Sequence, residues 1–199
     1  MALLNSPISP SQKGKLLVVT GPSGVGKGTL LKAIATKYSQ RFVFSVSGTT
    51  RPPRTGEVEG TNYFFYTRSE FEQNRKEGMF LESAEYAGNL YGTPRLPVEA
   101  AIAQAKIVIL EIELEGARQI SLSFPNAQKI FIAPPSMQVL ELRLRQRNQD
   151  HDGAIARRLD HAQVEMAASG EFDLVIINDN LEIALDQLEK AIFNSELNS

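Results

Sequence analysis

Lys15-Leu16-Leu17-Val18-Val19-Thr20, followed by Gly21-Pro22-Ser23-Gly24-Val25-Gly26-Lys27-Gly28-Thr29, is the stretch whose reading decides the fold. A short apolar run halted by Gly-Pro has the pattern of a strand buried on both faces. Leu30, Leu31, Ile34 and Ala35 then recur at helical spacing, so a helix is expected over 27–38. A glycine-rich turn between a buried strand and a helix is where a phosphate-binding loop belongs. The glycines let successive backbone N–H groups converge on a polyphosphate. The helix aims the positive end of its dipole at the same anion, and Lys27 adds a mobile charge for the β- and γ-phosphates.

Outward from this loop, apolar runs and turn signals alternate. Strands are expected over 42–47, 63–66, 107–112, 129–133 and 174–177. Helices are expected over 97–105, 136–147 and 154–168, and after Asp179-Asn180, where Leu181, Ala184, Leu188, Ala191 and Ile192 share one face. Ser69-Glu70-Phe71-Glu72 has capping-box spacing and opens a further helix that Gly78 closes. The pattern is that of an α/β domain: a doubly wound parallel sheet covered on both faces, with ligands at the carboxyl ends of its strands. Residues 45–93 lack long apolar runs and read as an inserted α+β subdomain.

Composition narrows the function classes. The chain has 199 residues, 21 Lys plus Arg against 23 Asp plus Glu, and a formal net charge of −2. That balance argues against holding nucleic acid by bulk charge. The absence of cysteine excludes disulfides, thiolate metal sites and a catalytic thiol. His151 and His161 are the only histidines and are expected on the surface. No run approaches the length needed to span a bilayer. Residues 1–14 read as a tail without the features of a signal or transit peptide, so a cytoplasmic protein without membrane partners is expected.

Two arginines three apart, Arg51 and Arg54, are stiffened by Pro52 and Pro53. Guanidinium groups suit bidentate capture of a phosphate, although the residues alone fit a solvated turn with an Arg–Glu pair equally well. Glu111 and Glu113 end the expected strand 107–112. Arg143, Arg145, Arg147, Arg157 and Arg158 flank a polar break at 148–153, as in a closing lid. For Arg145 and Arg157 a solvated helix face, paired with Glu141, Asp150 and Asp160, is the preferred reading.

The loop GPSGVGKGT (21–29), the segment SVSGTTRPPRTGEVEGTNYFF (45–65), FLESAEYAGNLYGT (80–93) and VIIND (175–179) together resemble the guanylate kinase family, over essentially the whole chain after residue 14. The resemblance implies transfer of the ATP γ-phosphoryl group to GMP. It assigns ATP to Gly21–Thr29 and Asn178. It assigns the GMP phosphate to Arg51, Arg54, Tyr63 and Tyr91, and guanine to Ser47, Glu82 and Thr93, with Gly92 and Glu113 beside them. Lys27, Arg51, Arg143, Arg147 and Arg158 are the residues it implies for neutralising the transferring group. Guanine offers two adjacent donors, N1–H and the 2-amino group, which one carboxylate accepts together. The family usually has Asp where Glu113 stands, with Gln two residues on, where this chain has Glu115; it often has Gly-Thr where this chain has Asn148-Gln149. Because Gly28, not Ser or Thr, follows Lys27, Mg²⁺ is expected to be held by phosphates and water, with no direct protein ligand.

The implied organisation is a core (15–44, 94–142 and 166–199), a GMP-binding insertion (45–93) and a lid (143–165). Two alternatives share these motifs: a catalytically silent, guanylate-kinase-like interaction module, and a same-fold kinase for another phosphorylated small molecule.

Overall fold

The computed structural model describes residues 13–146 and 152–194. Five parallel strands form the central sheet: β1 (Lys15–Thr20), β2 (Phe42–Phe44), β7 (Ile107–Glu111), β8 (Gln128–Ala133) and β9 (Leu174–Ile177), in spatial order β2-β7-β1-β8-β9. β1 lies at the centre, and its alternating side chains serve two cores. Leu17 and Val19 join Leu30, Leu31, Ile34, Ile130, Ile132, Leu140, Ile155, Leu188 and Ile192 on one face. Leu16 and Val18 join Leu81, Val98, Val108, Leu110 and Ile120 on the other. A strand buried on both faces explains why 16–19 reads as an unbroken apolar run.

Helices α1 (Lys27–Lys37), α5 (Met137–Gln146), α6 (Asp152–Ala167) and α7 (Leu181–Asn194) cover the first face; α3 (Arg95–Ala103) and α4 (Leu114–Ser123) cover the second. Asn180 caps α7, its Oδ1 accepting from the Glu182 and Ile183 N–H groups at 2.9 and 3.2 Å. Leu181, expected on the inner face of that helix, is 42 % exposed, because the cap turns the first residue outward.

A second sheet occupies residues 48–94: β3 (Gly48–Thr49), β4 (Phe64–Phe65), β5 (Phe80–Tyr86) and β6 (Asn89–Pro94), in order β4-β3-β6-β5, with α2 (Arg68–Lys76) packed on it. Its own core is small. Phe71 and Phe80 stack with ring centroids 4.2 Å apart, Tyr66 meets both edge-on, and Leu90 completes the cluster. α4 ties this sheet to the main body: Gln119 bonds the Ser83 backbone at both N–H and C=O (2.9 and 3.1 Å), and the Ser123 hydroxyl donates to the Leu81 carbonyl at 2.6 Å.

Several local expectations shift. The capping box on α2 is Thr67 with Glu70, not Ser69 with Glu72. The strand expected over 42–47 stops at Phe44, since β2 is an edge strand that pairs with β7 over three residues. The hairpin β5–β6 and helix α4 have no counterpart in the sequence reading.

Candidate functional site

The carboxyl ends of three neighbouring strands gather the candidate residues. β1 runs into the 21–29 loop, β7 ends at Glu111, and β2 leads into Ser45–Ser47 and the second sheet. Thr20 Oγ1 donates to the Ile112 carbonyl at 3.0 Å, and the Ser45 N–H donates to the Ile109 carbonyl at 3.0 Å, fixing the exits side by side.

The loop is shaped by close approach. Gly21 has φ +144°, and a Cβ there would lie 2.1 Å from the Ile132 carbonyl oxygen. Gly26, at the N-terminus of α1, has φ +99°, and its Cβ would meet the Asn178 amide nitrogen at 2.6 Å. Gly26, the N-cap, has no side chain to cap α1, and the first turn of the helix carries no acid. Its leading N–H groups therefore remain available to an anion. Ser23, Gly24, Gly26, Lys27, Gly28, Thr29, Lys32 and Glu111 line a cleft of about 350 Å³. Lys27 Nζ bends back onto the Gly21 and Pro22 carbonyls of the same loop.

Val25, fully buried, anchors the back of the loop. Its carbonyl accepts from Asn178 Nδ2 at 2.8 Å, and Arg143 Nη1 donates to the Asn178 carbonyl at 2.9 Å and to the Val25 carbonyl at 3.4 Å. Asn178 and Arg143 thus brace the phosphate loop here. Arg158 is half-buried on α6. Arg147 and Asn148-Gln149 lie outside the described residues. Arg145 pairs with Glu141 at 2.8 Å and Asp152 at 2.7 Å on the surface, and Arg157 is exposed.

The other candidates cluster on the second sheet. Thr93, 1 % exposed on β6, donates from Oγ1 to Glu82 Oε1 of β5 at 2.6 Å. Burial pushes the Glu82 carboxyl above the ordinary range, with the Thr93 hydrogen bonds opposing. The other oxygen, Oε2, lies over Gly116 in the first turn of α4, where an added Cβ would sit 3.2 Å away. Gly92 allows a similar approach of the Glu82 carbonyl, 2.8 Å from where its Cβ would be. Arg51 lies over the Tyr63 ring, 5.3 Å from its centroid, and Tyr63 meets Tyr91 at 6.2 Å. Arg51 is ion-paired with Glu57 at 2.7 Å. Arg54 is exposed, and half-buried Ser47 leads into β3. Exposed Glu113 stands at the N-cap of α4, its side chain making no capping bond.

Three residues escaped the sequence reading. Glu57 pairs with Arg51, and Gly116 lets Glu82 Oε2 lie close over α4. Glu165 on α6 is half-buried, and its carboxyl is pushed up by burial, with the charge of Lys27 opposing and that of Glu113 reinforcing. On α6, Glu165 recurs with Ile155, Arg158 and Ala162 at helical spacing, the one signal that pointed to an inward position. Among the described residues, no group of three or more His, Cys, Asp or Glu side chains stands ready to hold a metal ion.

Comparison with known proteins gives a consistent result. The family model described as guanylate kinase matches residues 13–195. A guanylate kinase of a Nostoc species is 55 % identical over 180 residues, 90 % of each chain. One from a Synechocystis species is 54 % identical over 191 residues, 96 % of this chain and all of that one. The crystal structure of guanylate kinase from Anaplasma phagocytophilum superposes with a TM-score of 0.67 at 32 % identity, covering 93 % of this chain and 87 % of that one.

Proposed function

The chain belongs to the guanylate kinase family, and we propose that it catalyses ATP + GMP ⇌ ADP + GDP, with the second sheet receiving GMP and the 21–29 loop receiving ATP. The observation that carries this reading is the pairing, within residues 48–94, of the half-buried Glu82 carboxylate, bonded by the buried Thr93 hydroxyl, with the Arg51–Tyr63–Tyr91 cluster. The first is an acceptor for the two adjacent donors of guanine; the second is a cationic seat for a phosphate. Adenine, with an acceptor at N1, would face the Glu82 carboxylate repulsively.

In the proposed reaction, the donor's phosphates lie on the N–H groups of the loop and the N-terminus of α1. Lys27 leaves the Gly21 and Pro22 carbonyls to meet them. Arg51 and Arg54, with the Tyr63 and Tyr91 hydroxyls, hold the acceptor phosphate; Ser47, Glu82 and Thr93 hold its base, with Gly92 and Glu113 beside them. A phosphate oxygen of GMP attacks the γ-phosphorus in line. The new P–O bond forms as the bond to the β-phosphate oxygen breaks, and ADP departs with that electron pair. The attacking oxygen is already anionic, so no general base is needed. Arg143, Arg147 and Arg158 complete the neutralisation of the transferring group when the lid (143–165) and the insertion (45–93) close on the core and exclude water.

Mg²⁺ is the proposed cofactor. The cleft offers hard oxygen donors, the Glu111 carboxylate and the Ser23 and Thr29 hydroxyls, which suit this ion. Glu111 and Thr29 would hold it through water, and when bound it neutralises charge on the donor's phosphates. ATP and GMP are the proposed partners, in a cytoplasmic setting, without nucleic acid or membrane. Among the described residues no helix is long and apolar enough to cross a membrane.

A crystal structure with GMP and a non-hydrolysable ATP analogue tests this reading. The expected result is guanine against Glu82 and Thr93 and the triphosphate on the 21–29 loop. Either nucleotide bound elsewhere would overturn it.

A further inference from the structure

Arg51 carries five N–H groups in a rigid fork. Three of them bond Glu57 and Pro52. Nη1 donates to Glu57 Oε2 at 3.0 Å and Nη2 to Glu57 Oε1 at 2.7 Å, an end-on pair. Nη1 also donates to the Pro52 carbonyl at 2.8 Å. The two N–H groups outside these bonds, on Nε and Nη2, run parallel along one side of the guanidinium. That side is the fork that grips a phosphate through two oxygens. The Tyr91 hydroxyl interacts with the same guanidinium, and the Tyr63 ring lies against it.

Glu57 is itself held. Its Oε2 accepts from the Arg54 N–H at 2.7 Å, while its own N–H donates to the Arg54 carbonyl at 3.0 Å. One carboxylate therefore fixes the Arg51 head group and closes the turn that carries Arg54. The Arg51 and Glu57 side chains are 13 % and 18 % exposed, so solvent screens the pair less than it would a surface pair.

We propose that Glu57 is a positioning residue for the phosphate-bearing acceptor: it locks Arg51 with its Nε–Nη2 edge presented to the incoming phosphate, and it holds the Arg54 turn beside it. Glu57 does not touch the acceptor. It lowers the ordering cost of binding by fixing a long side chain in advance. This inference rests on the reading that Arg51 takes the GMP phosphate.

A double-mutant cycle tests it, with steady-state kinetics at saturating ATP and GMP as the varied substrate. Glu57→Gln keeps the side-chain shape but withdraws the charge. The expected result is a GMP KM raised about tenfold, with kcat changed less than about threefold and the ATP KM unchanged. Arg51→Ala raises the GMP KM at least as much, and adding Glu57→Gln to it raises the GMP KM by less than about threefold more, because only the Arg54 turn is left for Glu57 to hold. A purely structural role in the 51–63 loop would instead add its full, about tenfold, effect in the Arg51→Ala background, and that result overturns the proposal. So does a GMP KM that falls in Glu57→Gln, which would make Glu57 a competitor for the phosphate's place. An Arg51→Ala enzyme with an unchanged GMP KM overturns the premise as well, and so separates the two failures.

Discussion

Replacing Glu82 with glutamine exchanges one carboxylate oxygen for an NH2 group and reverses the hydrogen-bonding sense of one edge of the proposed base pocket. The Thr93 hydroxyl donates to Oε1 at 2.6 Å, so the amide oxygen of Glu82→Gln is held there and the amide nitrogen takes the place of Oε2, over Gly116. Guanine then meets a donor opposite its own donors. A hydrogen bond to a charged acceptor is worth about 1.5–3 kcal/mol. Losing one and weakening its neighbour costs about 3 kcal/mol, which lowers kcat/KM for GMP about 100-fold. The same amide nitrogen matches the N1 acceptor of adenine, so kcat/KM for AMP rises. Stability moves the other way. Burial raises the folded-state pKa of Glu82, so its ionised form costs folding stability above that pKa, and the cost disappears as pH falls below the unfolded value. Glu82→Gln removes the cost at neutral pH, and the Tm does not fall. The raised pKa also places an acid limb in the GMP kcat/KM profile above the 4.5 of an ordinary glutamate, and that limb is absent from the variant. Coupled-assay kinetics on GMP and AMP across pH 4–8, with thermal melts, check all of this. A GMP kcat/KM within threefold of the parent, or a matching loss in ATP KM, would refute the reasoning.

Other perturbations follow from the same geometry. Lys27→Ala should lower kcat by about 10²–10³-fold or more, the cost of removing a charge-stabilising donor, while the Tm stays near that of the parent; single-turnover rates check it. Gly116→Ala puts a methyl 3.2 Å from Glu82 Oε2 and 3.3 Å from Ile112 Cδ1, so the GMP KM should rise about tenfold with the ATP KM unchanged. Phe71→Ala empties a fully buried site in a cluster of only a few side chains; a loss of about 3–5 kcal/mol should appear as proteolytic cleavage within 48–94 before the central sheet unfolds.

What the sequence made legible follows from how local each signal is. β1, the loop and α1 are contiguous, and β1 is buried on both faces, so an unbroken apolar run and the glycine spacing identified them together. The β5–β6 hairpin was hidden because its turn, Ala87-Gly88, uses positive φ at an alanine (+48° and +78°), and because β5 carries Glu82, Ser83 and Glu85 where a buried strand would be apolar. α4 was hidden because Gly116 and three serine and glutamine positions dilute its apolar stripe; two of these, Gln119 and Ser123, join it to the second sheet. At the candidate site, residue types were legible and mutual placement was not. The contact of Arg143 with Val25 spans 118 residues and the Asn178 contact 153, so no local pattern announces that both brace the phosphate loop. The neighbourhood of Glu165 with Lys27 and Glu113 is hidden for the same reason.

The most direct test of the central claim is GDP formation from ATP and GMP by the purified chain in the presence of Mg²⁺, with AMP, dTMP and a sugar phosphate run in parallel. The account predicts rapid turnover of GMP, with the other acceptors at least about 100-fold less efficient. No GDP at millimolar GMP, or an equal rate on AMP, would contradict it.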